Sequence, residues 1–173
     1  EPMLAVNLGT RGVEQACDLL EYTNHPGGTT LSDLRRAHGA EKPYGVRLWC
    51  LGNEMDGDWQ VGHKTAEEYG RLAAVTARAM RLLDPDVELV ACGSSGRGMA
   101  TFGSWEATVL DHAFDVVDLI SCHAYYWESD GDVDSFLASA ADLEAFVDGV
   151  IATADHVAAK RRSTKRINVS FDE

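Results

Sequence analysis

The sequence predicts an α/β fold, a partial (β/α)8 TIM barrel with about five parallel strands and four helices. Three observations carry this. Short apolar runs alternate with longer amphipathic stretches along the whole chain, and parallel neighbours need the crossovers that such helices supply. No phosphate-binding glycine loop follows the first run, because Leu8-Gly9-Thr10-Arg11-Gly12 fits neither the dinucleotide fingerprint nor the Walker pattern of a doubly wound sheet. Polar residues collect just past the apolar runs, at Asn53-Glu54, at His123 with Tyr125, and at Asp172-Glu173, where a barrel carries its chemistry.

The first strand is expected over Met3 to Leu8, followed by a helix from Val13 to about Tyr22 that Asn24-His25-Pro26-Gly27-Gly28 stops. A short helical candidate, Leu31 to His38, leads to the dense strand Val46 to Leu51. The next helix has a capping box: Thr65 can accept from the backbone three residues on while Glu68 reaches back to the Thr65 amide. Tyr69, Leu72, Thr76, Ala79, Met80 and Leu83 then recur at helical spacing until Asp84-Pro85 ends the helix. Val87 to Ala91 is a strand, a helix begins near Ser104 and reaches Ala113, and Val116 to Cys122 is a further strand. From Asp132 to Arg162 one face stays apolar, as one long helix or two joined ones, before a last strand at Ile167 to Phe171. A closed barrel needs eight strands and about 250 residues, so 1–173 is expected to be a fragment of one catalytic domain. An unclosed sheet leaves two unpaired edges, and the isolated segment is expected to be poorly folded and inactive.

Composition narrows the function. Of 173 residues 45% are hydrophobic, which excludes a disordered chain, and 15 Lys+Arg against 28 Asp+Glu give a net charge of −13. That charge, with no basic stripe, disfavours nucleic acid and anionic membrane surfaces as partners. The chain lacks an apolar run long enough to span a bilayer, and Glu1-Pro2-Met3-Leu4 lacks the basic start of a signal peptide. The four cysteines, Cys17, Cys50, Cys92 and Cys122, match neither a zinc pattern nor a disulfide scaffold, and read as free thiols in a reducing compartment. A cytoplasmic location follows as the expectation.

Two carboxylates at the ends of different barrel strands are what glycoside hydrolysis requires, one to protonate the leaving oxygen and one to attack the anomeric carbon. Glu54 and Glu173 are the candidates; on position alone each reads as a solvated loop carboxylate, and the neighbouring residues favour the catalytic reading. Asn53 can bond a sugar hydroxyl, and Trp59 and Trp127, which fall after strand ends, are the tryptophans expected near a ligand. Strand alternation lets only one of Asp172 and Glu173 face the pocket, and it separates Cys122 from His123, so Cys122 reads as a core residue. His123 is as readily structural as functional. His63, His112, His123 and His156 stand on separate elements and no HExxH appears, so neither a metal nor another cofactor is expected. Asp56 and Asp58 read as loop polarity that raises the proton affinity of Glu54.

The strings Trp49-Cys50-Leu51-Gly52-Asn53-Glu54-Met55-Asp56-Gly57, Trp59-Gln60-Val61-Gly62-His63-Lys64 and Phe171-Asp172-Glu173 closely resemble the α-L-arabinofuranosidases of glycoside hydrolase family 51. Ala5-Val6-Asn7-Leu8-Gly9-Thr10, Asn24-His25-Pro26, Cys92-Gly93-Ser94-Ser95 and Trp105-Glu106-Ala107-Thr108-Val109-Leu110 extend the resemblance along the whole chain. It implies retaining cleavage of terminal arabinofuranosyl groups from oligo- and polysaccharides. Glu54 would be the acid/base and Glu173 the nucleophile, with Asn53 on the sugar 2-hydroxyl, Tyr125 orienting the nucleophile, and His123 and Trp59 as further substrate contacts. It also implies a homo-oligomeric parent with a β-sandwich domain outside this segment. Another retaining barrel glycosidase, such as an endoglucanase or xylosidase, and a non-catalytic carbohydrate-binding barrel are the competing readings.

Overall fold

The computed structural model describes residues 2–128 and 130–173. Among them, five strands, β1 (Met3–Ala5), β2 (Leu48–Cys50), β3 (Glu88–Ala91), β4 (Leu119–Cys122) and β5 (Asn168–Phe171), form one sheet in the order β1-β2-β3-β4-β5. Every pairing is parallel. Sequential parallel order joined by right-handed crossovers puts all helices on one face of the sheet, which is barrel geometry; a doubly wound sheet reverses its order at a switch point.

The helices are α1 (Val13–Asn24), α2 (Thr30–Ala37), α3 (Ala66–Leu83), α4 (Ser104–Ala113), α5 (Val133–Leu137) and α6 (Ser139–Lys160). This is six among the described residues, where four were expected. The β1–β2 crossover carries both α1 and α2, and the β4–β5 crossover breaks at Ala138 into α5 and α6. The extra turn at α2 is specified locally: Thr29 accepts from the Ser32 amide while Ser32 Oγ accepts from the Thr29 amide. The Thr65–Glu68 box forms as expected, with bonds of 3.3 and 3.0 Å.

Strands are shorter than their apolar runs. Val6 N still bonds Cys50 O, but at Asn7 the side chain caps the Gly9 and Thr10 amides and turns the backbone out of the ladder. Val46 is instead held by Asn24, whose amide bonds both its N–H and its C=O, tying the end of α1 to the approach to β2. Val116 and Val117 donate to Ala113 O and so finish the turn after α4.

Between sheet and helices lies one continuous core that includes Trp49, Leu89, Ile120, Tyr69, Val109 and Phe146. Trp105 stacks on Tyr69 with ring centroids 5.5 Å apart, and the Tyr69 hydroxyl, donating to Leu51 O and accepting from Cys92 N, joins the ends of β2 and β3. Burial of Trp49 and Trp105 leaves Trp59 and Trp127 as the solvent-facing tryptophans, both beyond strand ends. All four cysteines are free, three of them buried. Among the described residues no helix is long and apolar enough to cross a membrane.

Candidate active site

Three strand ends supply the site. Past β2 the chain turns through Gly52 and Asn53 into Glu54, which takes a left-handed φ of 44°, a conformation that costs a non-glycine residue energy and recurs at functional positions. The same loop brings Trp59 and Gln60 back over Glu54. Trp59 Nε1 donates to Glu54 Oε2 at 2.7 Å and Gln60 Nε2 to the same oxygen at 3.4 Å. The other oxygen, Oε1, lies 3.2 Å from His123 Nδ1, immediately after β4. Both carboxylate oxygens are therefore engaged.

His123 is the centre of the cluster, its side chain 5% exposed. Nδ1 is also 3.7 Å from Glu173 Oε2, and Nε2 is 3.3 Å from Asp172 Oδ1. Asp172 and Glu173 meet this imidazole at different nitrogens: Glu173 shares the Nδ1 side with Glu54, whereas Asp172, its Oδ1 buried, lies at Nε2, so only Glu173 stands on the Glu54 side of the ring. The Tyr125 hydroxyl donates to Glu173 Oε2. One donor atom each from Glu54, His123 and Glu173 falls within 4.8 Å of the others. A retaining pair needs its two carboxyls close together, about 5–5.5 Å apart, and the convergence of Glu54 and Glu173 on one imidazole nitrogen is compatible with that. Three such atoms could also ligate a divalent cation, a grouping that the scattered histidines of the sequence did not suggest; here Nδ1 is turned to Glu54 instead.

Asn53 is exposed and, with Asn7, Trp59 and Gln60, lines a cavity of about 420 Å³ between the ends of β1 and β2. The structure thus brings Glu54, His123, Tyr125, Trp59 and Glu173 into one cluster of hydrogen bonds and close ion pairs, with Asn53 on the adjoining cavity wall. Gln60 and Asp172 complete it. Sequence reasoning gave Gln60 no role, and only its place beside Trp59 could have pointed to it.

The electrostatics differ from expectation in one respect. Burial pushes Glu54 upward, but bonds from Trp59, His123 and Gln60 outweigh it and hold the carboxyl below the usual range. The lift expected from Asp56 and Asp58 does not prevail, and the Asp56 carboxylate accepts from Ser95 N and Oγ, tying this loop to the one after β3. Burial pulls His123 down, yet its bonds to Asp172 and Glu54 and the Glu173 charge raise it to about 9, so the ring is cationic at neutral pH. Burial, followed by the Asp172 and Glu106 charges, pushes the Cys122 thiol up to about 12, leaving it no nucleophilic character.

The α-L-arabinofuranosidase 1 domain family profile matches residues 6–161, with both candidate strand-end clusters after β2 and β4 inside that span. The chain belongs to the family 51 α-L-arabinofuranosidases. It is 70% identical over its whole length to the Streptomyces lividans intracellular exo-α-(1→5)-L-arabinofuranosidase, of which it covers 26%. It is 57% identical, again over its full length, to an exo-α-(1→6)-L-arabinofuranosidase from Bifidobacterium longum, covering 34% of it. A solved family 51 α-L-arabinofuranosidase from Bifidobacterium longum superposes with a TM-score of 0.93 at 48% identity, over 98% of this chain and 35% of that one. The chain thus spans about a third or less of the arabinofuranosidases it matches, consistent with five strands of a barrel.

Proposed function

We propose that the longer protein containing this chain is a retaining exo-acting α-L-arabinofuranosidase that removes terminal non-reducing arabinofuranosyl groups from oligo- and polysaccharides. The observation that carries this reading is the convergence of Glu54, His123 and Glu173 within 4.8 Å at three strand ends. Glu173 is the nucleophile, aimed by the Tyr125 hydroxyl, and forms the covalent sugar ester. Glu54 protonates the leaving oxygen and later takes the proton of the attacking water. Asn53 bonds the sugar 2-hydroxyl, while Trp59 and His123 orient Glu54 and border the sugar. No step calls for a metal or another cofactor.

Glu54 is ionised while the cup is open, because three donors face it. Burial is already the largest single influence on this carboxyl and acts upward, so a sugar that excludes water from the cup shifts it toward the acid form. Cationic His123, bonded to Glu54, favours the ionised carboxylate, and the exclusion of water by the sugar has to outweigh it for Glu54 to act as the acid. In this reading the remaining barrel strands and the β-sandwich domain come from the rest of the protein, which works in the cytoplasm as a homo-oligomer. The intracellular designation of the Streptomyces lividans relative supports the location.

Azide rescue in the full-length protein tests the assignment. With an activated aryl arabinofuranoside, Glu54→Gly is expected to lose activity that azide restores, giving arabinosyl azide of retained configuration. Glu173→Gly is expected to give the inverted azide. Swapped stereochemistry, or full activity of either variant without azide, overturns the roles; an unmutated protein that prefers a xylopyranoside overturns the substrate.

A further inference from the structure

We infer that Asp172 is a positioning residue that acts on the reaction through His123: it claims the Nε2–H of the ring and so reserves the Nδ1 side, with its proton, for the two reacting carboxylates. The inference rests on the arabinofuranosidase reading and gives a role to a side chain which that reading leaves unused.

Geometry is the first argument. The two ring nitrogens diverge, with Nε2 3.3 Å from Asp172 Oδ1 and Nδ1 3.2 Å from Glu54 Oε1 and 3.7 Å from Glu173 Oε2. Turning the ring over would put a carbon in place of each nitrogen, so the contact at Nε2 also fixes which atom faces the glutamates. Asp172 thereby orients the ring from behind.

Burial is the second. Asp172 Oδ1 is closed to solvent and accepts no hydrogen bond from any other group among the described residues, while the two side chains are only 13% and 5% exposed. A buried carboxylate oxygen left without a donor is strongly disfavoured, so Nε2 keeps its hydrogen towards Asp172 in every protonation state of the ring. The proton that the ring can gain or lose is the one on Nδ1.

Charge is the third. The ionisable groups facing the ring are Glu54 from the segment after β2 and Asp172 and Glu173 from the segment after β5, and among the described residues no lysine or arginine pairs with any of them. Burial pulls the proton affinity of His123 down, and the bond to Asp172 is the largest of the influences that raise it to about 9. Asp172 thus keeps the Nδ1 proton in place. When Glu54 has given its own proton to the leaving oxygen, the carboxylate that remains accepts from this Nδ1–H, which steadies Glu54 as the base for the incoming water.

A double-mutant cycle in the full-length protein tests the inference, with Asp172→Asn and His123→Gln made singly and together and kcat/KM read on 4-nitrophenyl α-L-arabinofuranoside. Asp172→Asn is expected to lower kcat/KM about ten-fold when His123 is present, mostly through kcat, and less than about two-fold in the His123→Gln background. Equal losses in the two backgrounds overturn the inference, because Asp172 would then act without the ring. A second arm needs no activity and reads the fall in urea midpoint between pH 6 and pH 10. A base whose folded-state proton affinity is raised less loses less stability as pH climbs from 6.5, so in Asp172→Asn this fall is expected to shrink by about half. An undiminished fall also overturns the inference. If Asp172→Asn does not fold, Asp172→Ser supplies both readings. An unmutated protein without activity on the glycoside overturns the enzymatic reading instead, and the urea arm then decides whether Asp172 holds the ring's proton.

Discussion

Replacing His123 with glutamine removes a cation that three carboxylates surround, and the structure sets the size of the effect. The rise of the imidazole from 6.5 to about 9 is worth about 3 kcal/mol at 1.36 kcal/mol per pH unit. The depression of Glu54 draws on the same attraction, so it adds nothing separate to this total. A base whose proton is held more tightly in the folded state stabilises that state fully below its unfolded value of 6.5. The contribution is lost as pH rises from there through about 9. The assay is urea unfolding of the full-length protein and of His123→Gln, followed by tryptophan fluorescence, at pH 6 and pH 10. The unmutated protein is expected to lose about 3 kcal/mol more than the variant across that interval. Parallel losses in the two proteins would refute the reasoning, because they would mean that the ring carries no extra proton at pH 6.

Two further predictions follow from the loop after β2. Trp59→Phe keeps a ring over the site but removes the 2.7 Å bond to Glu54, so the carboxyl rises and the basic limb of the kcat/KM profile moves to higher pH; an unmoved limb contradicts the assignment of Glu54 as the acid. Gly62→Ala places a Cβ 2.1 Å from Gly9 O at a φ of +84°, whereas Gly28→Ala, at +83°, meets nothing within 4 Å. Thermal unfolding is expected to show a loss of about 1 kcal/mol at Gly28 and more than about 3 kcal/mol at Gly62, because only the latter adds a clash to the backbone strain.

Much of the fold was legible because its causes are local. The Thr65–Glu68 box, the Asp84-Pro85 stop and the apolar runs act over a few residues and in one dimension, so the five strands and the start of α3 could be read directly. The break at Ala138 could only be framed as one helix or two, since both sides keep helical spacing, and strand ends were set by partners elsewhere in the chain: Asn24 holds Val46 across a long stretch of sequence. In the site, Glu54 and Glu173 were legible because a strand end in a parallel barrel points into the mouth whatever the intervening sequence.

The sequence by itself determined the composition of that mouth: two glutamates, a histidine, a tyrosine and a tryptophan, each placed after a strand by short-range patterning. Tertiary structure alone decided the charge states. A proton's affinity depends on distances between groups on separate strands, and these made His123 the hub of Glu54, Asp172 and Glu173, drew Asp56 away to Ser95, and turned Trp59 and Gln60 onto Glu54. Coulomb and hydrogen-bond energies act through space, and the chain order of the residues carries no record of those separations.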